Sequence, residues 1–503
     1  MTERGSFVIR IHPMLETISK RKLGLCLGDF IIITLLQIPA FLIVVERRYF
    51  LDFSQKYFWV FLFISFVWIL VLFISRAYEV IEGAQDTISD TNIFVKATII
   101  SVITLGFIFY LFAPFIDFPQ RVLLVHGFLV IAVLYLWRVI FTKLIHRAGA
   151  IKKILILGTD WPAQEVAKEI ANRPNHGYAL IGFIGKHTNE FANVCESKYE
   201  YKSPSNNPLN PPLLRGNLKR EYEVDEKFIL GTEEETLEVV NKYQIDLVIS
   251  ALPGEKSQKM VQNILEIQQR GVPVVEMPDF YEELTGKIPI QHLAPSWIIL
   301  GQFKKITKTK ETVEYIFNAL LALLLLIVTL PITITIALII KSEDKGPIFY
   351  QQKRVGKNGK IFTLIKFRNM KPNAEQETGA IWVKKDDERI TKTGKFLRKW
   401  RLDEIPQLIN ILFGQMVFIG PRPERPEFVE KLEKEIPFYR MRHLVKPGLT
   451  GWAQVRFRYA ASTEDALQKL QYELYYIKHR SFLFDLIIIL KTIEVVITGR
   501  GAR

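Results

Sequence analysis

At 503 residues the chain is too long for one ordinary domain; a prior of about 150 residues per domain suggests about three units. Apolar residues make up 49% of it and the mean hydropathy is slightly positive, a balance that argues against both a purely soluble protein and an all-membrane transporter. The net charge is +14 and there are only two cysteines, Cys26 and Cys195, so a disulfide framework is not expected and a reducing compartment is compatible.

Four long apolar runs come first, about Leu23–Val45, Tyr57–Ser75, Val95–Phe115 and Val122–Phe141. Each is near the roughly 20 residues a membrane-spanning helix needs. The first is too long for a signal-peptide core and lacks a small-residue cleavage pattern after it, so no cleavable leader is expected. Asp29 lies inside that run and is expected to face the bundle or the interface. Arg4, Arg10, Lys20, Arg21 and Lys22 precede the first span, and Lys143, Arg147, Lys152 and Lys153 follow the fourth. Both ends therefore read as cytoplasmic, although Arg47 and Arg48 fall in a loop assigned to the other side.

An α/β pattern follows. Lys153–Gly158 reads as a buried strand entering a turn, Pro162–Ile170 as a helix, and Ala179–Gly185, Asp246–Ser250 and Val272–Met277 as further strands. Strands alternating with helices predict a parallel sheet. The stretch Glu196–Asn217 is rich in Ser, Pro and Asn and reads as a long loop. After Gly158 come Thr159, Asp160, Trp161, Pro162 and Ala163, so the second and third glycines of a dinucleotide fingerprint are missing. A Rossmann-like scaffold without a bound dinucleotide is expected.

A fifth apolar run, Val313–Ile340, is interrupted by Pro331. Beyond it the chain is strongly basic: Lys341–Arg503 holds 32 Lys+Arg against 19 Asp+Glu, so nearly all of the net charge sits there. Phosphates, an acidic membrane face or nucleic acid are the matching partners. A last apolar stretch, Phe482–Ile497, carries Asp485, Lys491 and Glu494 and reads as a buried or interfacial helix.

The basic region holds the chemistry. In Arg398-Lys-Trp-Arg-Leu-Asp403-Glu404-Ile-Pro-Gln407, apolar spacing predicts a helix starting near Asp403. An ordinary N-cap is one reading. The other is functional: two adjacent carboxylates beside Arg398 and Arg401, in the positive field of a helix start, could handle a diphosphate and a divalent metal. A carboxylate is ionised at neutral pH and needs no base to act as a nucleophile. In Gly420-Pro-Arg422-Pro423-Glu424, two prolines would present Arg422 from a stiff turn. Lys353, Arg354, Lys366 and Arg368 fall on strand and turn pieces, and Pro447-Gly-Leu-Thr-Gly-Trp-Ala-Gln454 suggests close backbone approach to a ligand or another chain segment.

Together these segments resemble the bacterial sugar transferase family, the monotopic polyprenyl-phosphate phosphoglycosyl transferases. The resemblance covers roughly the last 190 residues, with motif order and spacing both matching. The four spans and the α/β unit in front resemble the large, three-part members. The resemblance implies three domains: a membrane α-helical bundle over 1–148, a Rossmann-like α/β domain over 149–300, and an α+β monotopic catalytic domain over 301–503. It makes residues about 313–340 a re-entrant helix, bent at a proline; Leu330 stands before Pro331 where the family has Ser.

It also implies roles. Asp403 would attack the β-phosphorus of a UDP-sugar, releasing UMP, and polyprenyl phosphate would take the sugar phosphate from it. Glu404 would hold Mg²⁺, and Arg398 would bind phosphate. Arg422, Pro423, Gln407, Lys366 and Arg368 would bind or support the substrates. The expected setting is the bacterial inner membrane, with the catalytic domain on its cytoplasmic face among membrane lipids, and a homodimer is compatible. A membrane-anchored nucleotide-sugar dehydratase would need a Tyr-x-x-x-Lys pair, and none of the 18 tyrosines has Lys four residues later. A scaffold without catalysis is the remaining alternative. Nucleic acid binding has only the charge behind it.

Overall fold

The computed structural model describes residues 20–44, 50–75, 77, 87–111, 120–148, 152–173, 177–185, 228–252, 256–292, 307–372, 374, 387, 389–457 and 462–498. The expected loop at Glu196–Asn217 lies outside them. The chain forms two compact units that divide between Met277 and Pro278.

The first unit begins with helices α1 (Lys20–Leu35), α2 (Gln37–Val44), α3 (Phe50–Ile74), α4 (Thr87–Leu111) and α5 (Gln120–Ala148). The first predicted run is two helices because Pro39 has no N–H to give the carbonyl of Leu35; α1 stops there and α2 restarts with the proline in its first turn. Gly24–Val44, Tyr57–Ile74 and Arg121–Phe141 are long and apolar enough to cross a membrane, and the described apolar part of α4 is Ala97–Tyr110. Leu25, Phe41, Ile64, Trp68 and Leu134 form their shared core. Asp29 does face the bundle. It is fully buried and accepts a 2.6 Å hydrogen bond from Arg138, whose other Nη donates to the Ala77 carbonyl at 2.7 Å. Pairing is what makes an acid tolerable there.

The same unit contains β1 (Lys152–Leu157), α6 (Trp161–Ala171), β2 (Tyr178–Ile184), β3 (Ile229–Gly231), α7 (Thr236–Tyr243), β4 (Leu247–Ser250), α8 (Gln258–Gln269) and β5 (Val274–Glu276). The five strands are parallel in the order β3-β2-β1-β4-β5. Ile154–Leu157 and Leu247–Ser250 are buried on both faces, as continuous apolar runs in a parallel sheet should be. β3 was not anticipated; three residues are too few to display a period. Helix α9 (Met277–Thr285) follows.

In the second unit α10 (Lys308–Asp344) carries Pro331 inside an otherwise unbroken helix. The helix runs through that proline, and the Thr329 and Thr335 hydroxyls beside it donate to the Leu325 and Pro331 carbonyls, back-bonds of the kind that accompany a bend. Ala322, near the middle of the helix, packs with Leu408, Ile411 and Met416, and Ile336 and Ile340 pack with Phe367 and Leu397 toward its end. Between them Ile327, Val328, Leu330, Ile332 and Ile334 are exposed. An antiparallel hairpin, β6 (Phe349–Val355) and β7 (Ile361–Phe367), pairs Tyr350 with Lys366.

Then come α11 (Lys392–Lys399), α12 (Gln407–Leu412), β8 (Val417–Ile419), α13 (Pro426–Glu435), β9 (Gly448–Thr450), α14 (Trp452–Arg456), α15 (Thr463–His479) and α16 (Phe482–Thr498). α15 starts with a complete capping box between Ser462 and Asp465. In α16 Phe484, Ile488 and Glu494 are buried while Phe482, Leu483, Leu486 and Ile489 are exposed, so one apolar face is left uncovered by the described residues. Asp485 accepts from the Tyr476 hydroxyl at 2.9 Å.

Candidate active site

Helix α11 is capped by Thr391, whose hydroxyl accepts from the Gly394 amide at 2.9 Å, and it ends at Trp400. Arg401 then adopts a left-handed conformation, with φ of 54°, and turns the chain into a single 3-10 turn, Leu402–Glu404. This corrects the expected helix start: Asp403 is not an N-cap. Helix α12 begins after Pro406, and the amides nearest the carboxylates are spent inside the turn, Glu404 N on Arg401 O and Ile405 N on Leu402 O. Side chains rather than a helix terminus therefore stabilise the acids.

Asp403 is buried and its Oδ2 accepts from Asn369 Nδ2 at 2.7 Å. Glu404 Oε1 accepts from Arg422 Nη2 at 2.9 Å and lies 3.5 Å from Arg401 Nη1. Burial, helped by the charge of Glu404, pushes the Asp403 carboxyl above its ordinary range, and Lys366, Arg422 and the Asn369 bond oppose this. Burial alone would raise Glu404 too, but Arg422 and Arg401 outweigh it and hold it down. Lys366 is lowered to about 8 by burial, with Asp403 acting against the shift. Its ammonium sits 5.0 Å from the centre of the Tyr350 ring.

Arg422 is presented as the prolines suggest, and three further groups hold its loop. Arg354 donates to the Pro423 carbonyl at 3.0 Å, Val355 N donates to the Glu424 carbonyl at 2.9 Å, and Arg442 donates to the Arg422 carbonyl at 2.8 Å. Glu424 ion-pairs with Lys469; burial works against its charge, yet Lys469, Arg442 and Arg354 bring it down to about 2. The Arg422 side chain itself remains 41% exposed, open to a ligand.

The open question about the Gly-Leu-Thr-Gly segment resolves in favour of another chain segment. Gly420 N bonds Thr450 O at 2.9 Å and Gly448 N bonds Pro421 O at 2.9 Å. A Cβ on Gly448 would stand 2.1 Å from Gly420 N. The segment is the floor beneath the Arg422 loop.

The expected residues divide accordingly. Asp403, Glu404, Lys366 and Arg422 share one electrostatic cluster, and Arg398, in the last turn of α11, acts on Lys366 through its charge. Arg398 makes no ion pair among the described residues. Gln407 is buried at the start of α12. Arg368 is drawn away to an ion pair with Asp344, at the end of α10, but its Nε and Nη1 have no hydrogen-bond partner among the described residues. Sequence reasoning missed Asn369, Arg442 and Glu473. Asn369 follows Arg368 directly in the chain, but a neutral amide carries no charge signal.

The packing makes one demand that mutation can test. A Cβ on Gly394 would lie 2.1 Å from the Asn369 carbonyl oxygen, so α11 would have to retreat. Gly394→Ala should lower stability by about 1–3 kcal/mol, read as a lower thermal midpoint in detergent; an unchanged midpoint would show that the helix yields freely.

A carboxylate pair ringed by Lys366, Arg401 and Arg422 suits a doubly anionic substrate portion such as a diphosphate. Among the described residues no cluster of three or more metal-ligating side chains occurs. The donor set still fits Mg²⁺: Glu404 has a second oxygen without a protein hydrogen bond among the described residues, and this ion commonly takes one or two carboxylates plus substrate phosphates.

Comparison with known proteins follows this division of the chain. A family model described as bacterial sugar transferase matches residues 309–499, and one described as CoA-binding domain matches residues 77–278. The chain is 40% identical over 232 residues to a UDP-N-acetylgalactosamine-undecaprenyl-phosphate N-acetylgalactosaminephosphotransferase of Aeromonas hydrophila, covering 46% of this chain and 54% of the relative. It is 32% identical over 273 residues to a UDP-glucose:undecaprenyl-phosphate glucose-1-phosphate transferase of Xanthomonas campestris, covering 52% and 55%. It is 42% identical over 165 residues to a putative undecaprenyl-phosphate N-acetylgalactosaminyl 1-phosphate transferase of Bacillus subtilis, covering 32% of this chain and 88% of that one. The chain thus spans about half the length of the longer relatives and nearly all of the short one. With its motifs, site geometry and these matches in agreement, this chain belongs to the bacterial sugar transferase family.

Proposed function

We propose that the protein transfers a sugar-1-phosphate from a UDP-sugar to undecaprenyl phosphate through a covalent intermediate on Asp403. The observation that carries this reading is a buried carboxylate held by a neutral amide and faced by Lys366 and Arg422. A carboxylate oxygen attacks the β-phosphorus, the bond to the α-phosphate oxygen breaks, and UMP leaves with the electron pair. The lipid phosphate oxygen then attacks the same phosphorus and the Asp403 carboxylate departs. Arg422 and Lys366 bind and orient the diphosphate, and Arg398 is placed to bind a second phosphate. Glu404 would hold Mg²⁺, which supplies neutralising charge on the diphosphate.

The membrane reading rests on α10 and α16. Glu311 near the start of α10 ion-pairs with Lys357, and Ile336 and Ile340 near its end pack with Phe367 and Leu397, while the residues around Pro331 are apolar and exposed, which favours a helix that dips in, bends at the proline and returns to the same face. The exposed apolar face of α16 suits the interface. We place the catalytic unit on the cytoplasmic face of the inner membrane, where nucleotide-sugars are made. The sheet before it serves as a Rossmann-like scaffold.

The test is to incubate detergent-purified protein with UDP-N-acetylgalactosamine, UDP-glucose or UDP-galactose and Mg²⁺, without lipid. One donor should yield a sugar-phosphate adduct by intact mass, mapped to Asp403 and discharged by undecaprenyl phosphate. Excess chelator should suppress both adduct and UMP release, and added Mg²⁺ should restore them. Neither adduct nor UMP release with any donor, lipid present, would leave the non-catalytic scaffold as the better reading.

A further inference from the structure

We propose that Asn369 is a positioning residue for the nucleophile, its side-chain amide fixing one oxygen of Asp403 so that the other is offered to the donor. This rests on the covalent reading above. Asn369 and Asp403 are both buried, and the bond between Nδ2 and Oδ2 is 2.7 Å. An ionised carboxylate only accepts, so the amide nitrogen must be the end that faces it. Among the described residues this is the one hydrogen bond to the Asp403 side chain; Lys366 and Arg422 act on it through charge.

The terminal torsion of an aspartate is broad, so an unheld carboxylate would swing and offer either oxygen over a range of directions. In-line attack on phosphorus tolerates little of that. A neutral donor also has an advantage over another cation. It orients the carboxylate without forming an ion pair that competes with the substrate phosphates.

The donor is itself immobilised. The Asn369 carbonyl accepts from Thr391 N at 3.2 Å, at the cap of α11, and Gly394 lets that helix come close. On its other side Arg368 is tied to Asp344 at the end of α10. The amide is therefore anchored between the membrane-length helix and the helix that leads to Asp403.

The test compares Asn369→Thr with Asn369→Val in the full chain. The two side chains have the same shape, and only Thr can donate a hydrogen bond. Steady-state UMP release with undecaprenyl phosphate gives kcat and KM. Asn369→Val should lose about 100-fold in kcat with KM within about threefold of wild type, while Asn369→Thr stays within about tenfold of wild type. The two variants should share one thermal midpoint. Equal activity of the two, or a loss in Val that resides in KM, would overturn the inference. If Val does not fold, the Asn369→Ser and Asn369→Ala pair makes the same comparison at smaller volume. Wild-type protein without UMP release would sink this inference together with the reading beneath it; an active wild type with an unimpaired Val variant would sink the inference alone.

Discussion

Asp403→Asn is expected to stop the reaction, with UMP release falling by about 10,000-fold or more and no adduct on the protein. The substitution preserves shape, and the Asn carbonyl can still accept from Asn369, so the surrounding geometry should survive. What disappears is the anionic oxygen that forms the bond to phosphorus. Binding of the UDP-sugar should be unchanged or tighter, because one negative charge facing the diphosphate has been removed while Lys366 and Arg422 remain. Calorimetric titration of the donor into the variant separates this from a collapsed site. A variant that still forms the adduct, or that keeps more than about a hundredth of the activity, would show that another residue is the nucleophile.

Arg442→Met should be the most destabilising single change in the catalytic unit. Arg442 and Glu473 are each 2% exposed and form a two-pronged pair, Nε to Oε2 and Nη2 to Oε1, both at 2.8 Å. Arg442 also donates to the Tyr439 hydroxyl at 2.6 Å and to the Arg422 carbonyl at 2.8 Å. Removing the cation strands a buried carboxylate, which costs about 3–5 kcal/mol. Adding Glu473→Leu should recover most of that stability, since an apolar pair can replace a buried ionic one. Activity should not return with it, because the Arg422 loop still lacks its brace. Denaturant unfolding of the single and double variants checks the first point and UMP release the second. A single variant within about 1 kcal/mol of wild type would mean that water reaches Glu473.

Local patterning determined much of this protein from sequence by itself. Apolar run length placed the membrane-length helices, and continuous apolar runs placed the strands of the parallel sheet, because both are properties of neighbours in the chain. The motifs around Asp403, Arg422 and the Gly-Leu-Thr-Gly segment were legible because each is contiguous. Tertiary structure decided what contiguity cannot encode. Asn369 meets Asp403 across 34 residues, and Arg442 meets Glu473 across 31. Arg368 stands two positions from Lys366, yet β7 ends at Phe367 and the chain turns its guanidinium toward Asp344. The helix start read at Asp403 moved to Pro406, since the left-handed Arg401 and the 3-10 turn spend the amides locally. The acids are therefore set by side chains folded in from afar, whose partners exist only once the hairpin, the helices and the Arg422 loop have packed together.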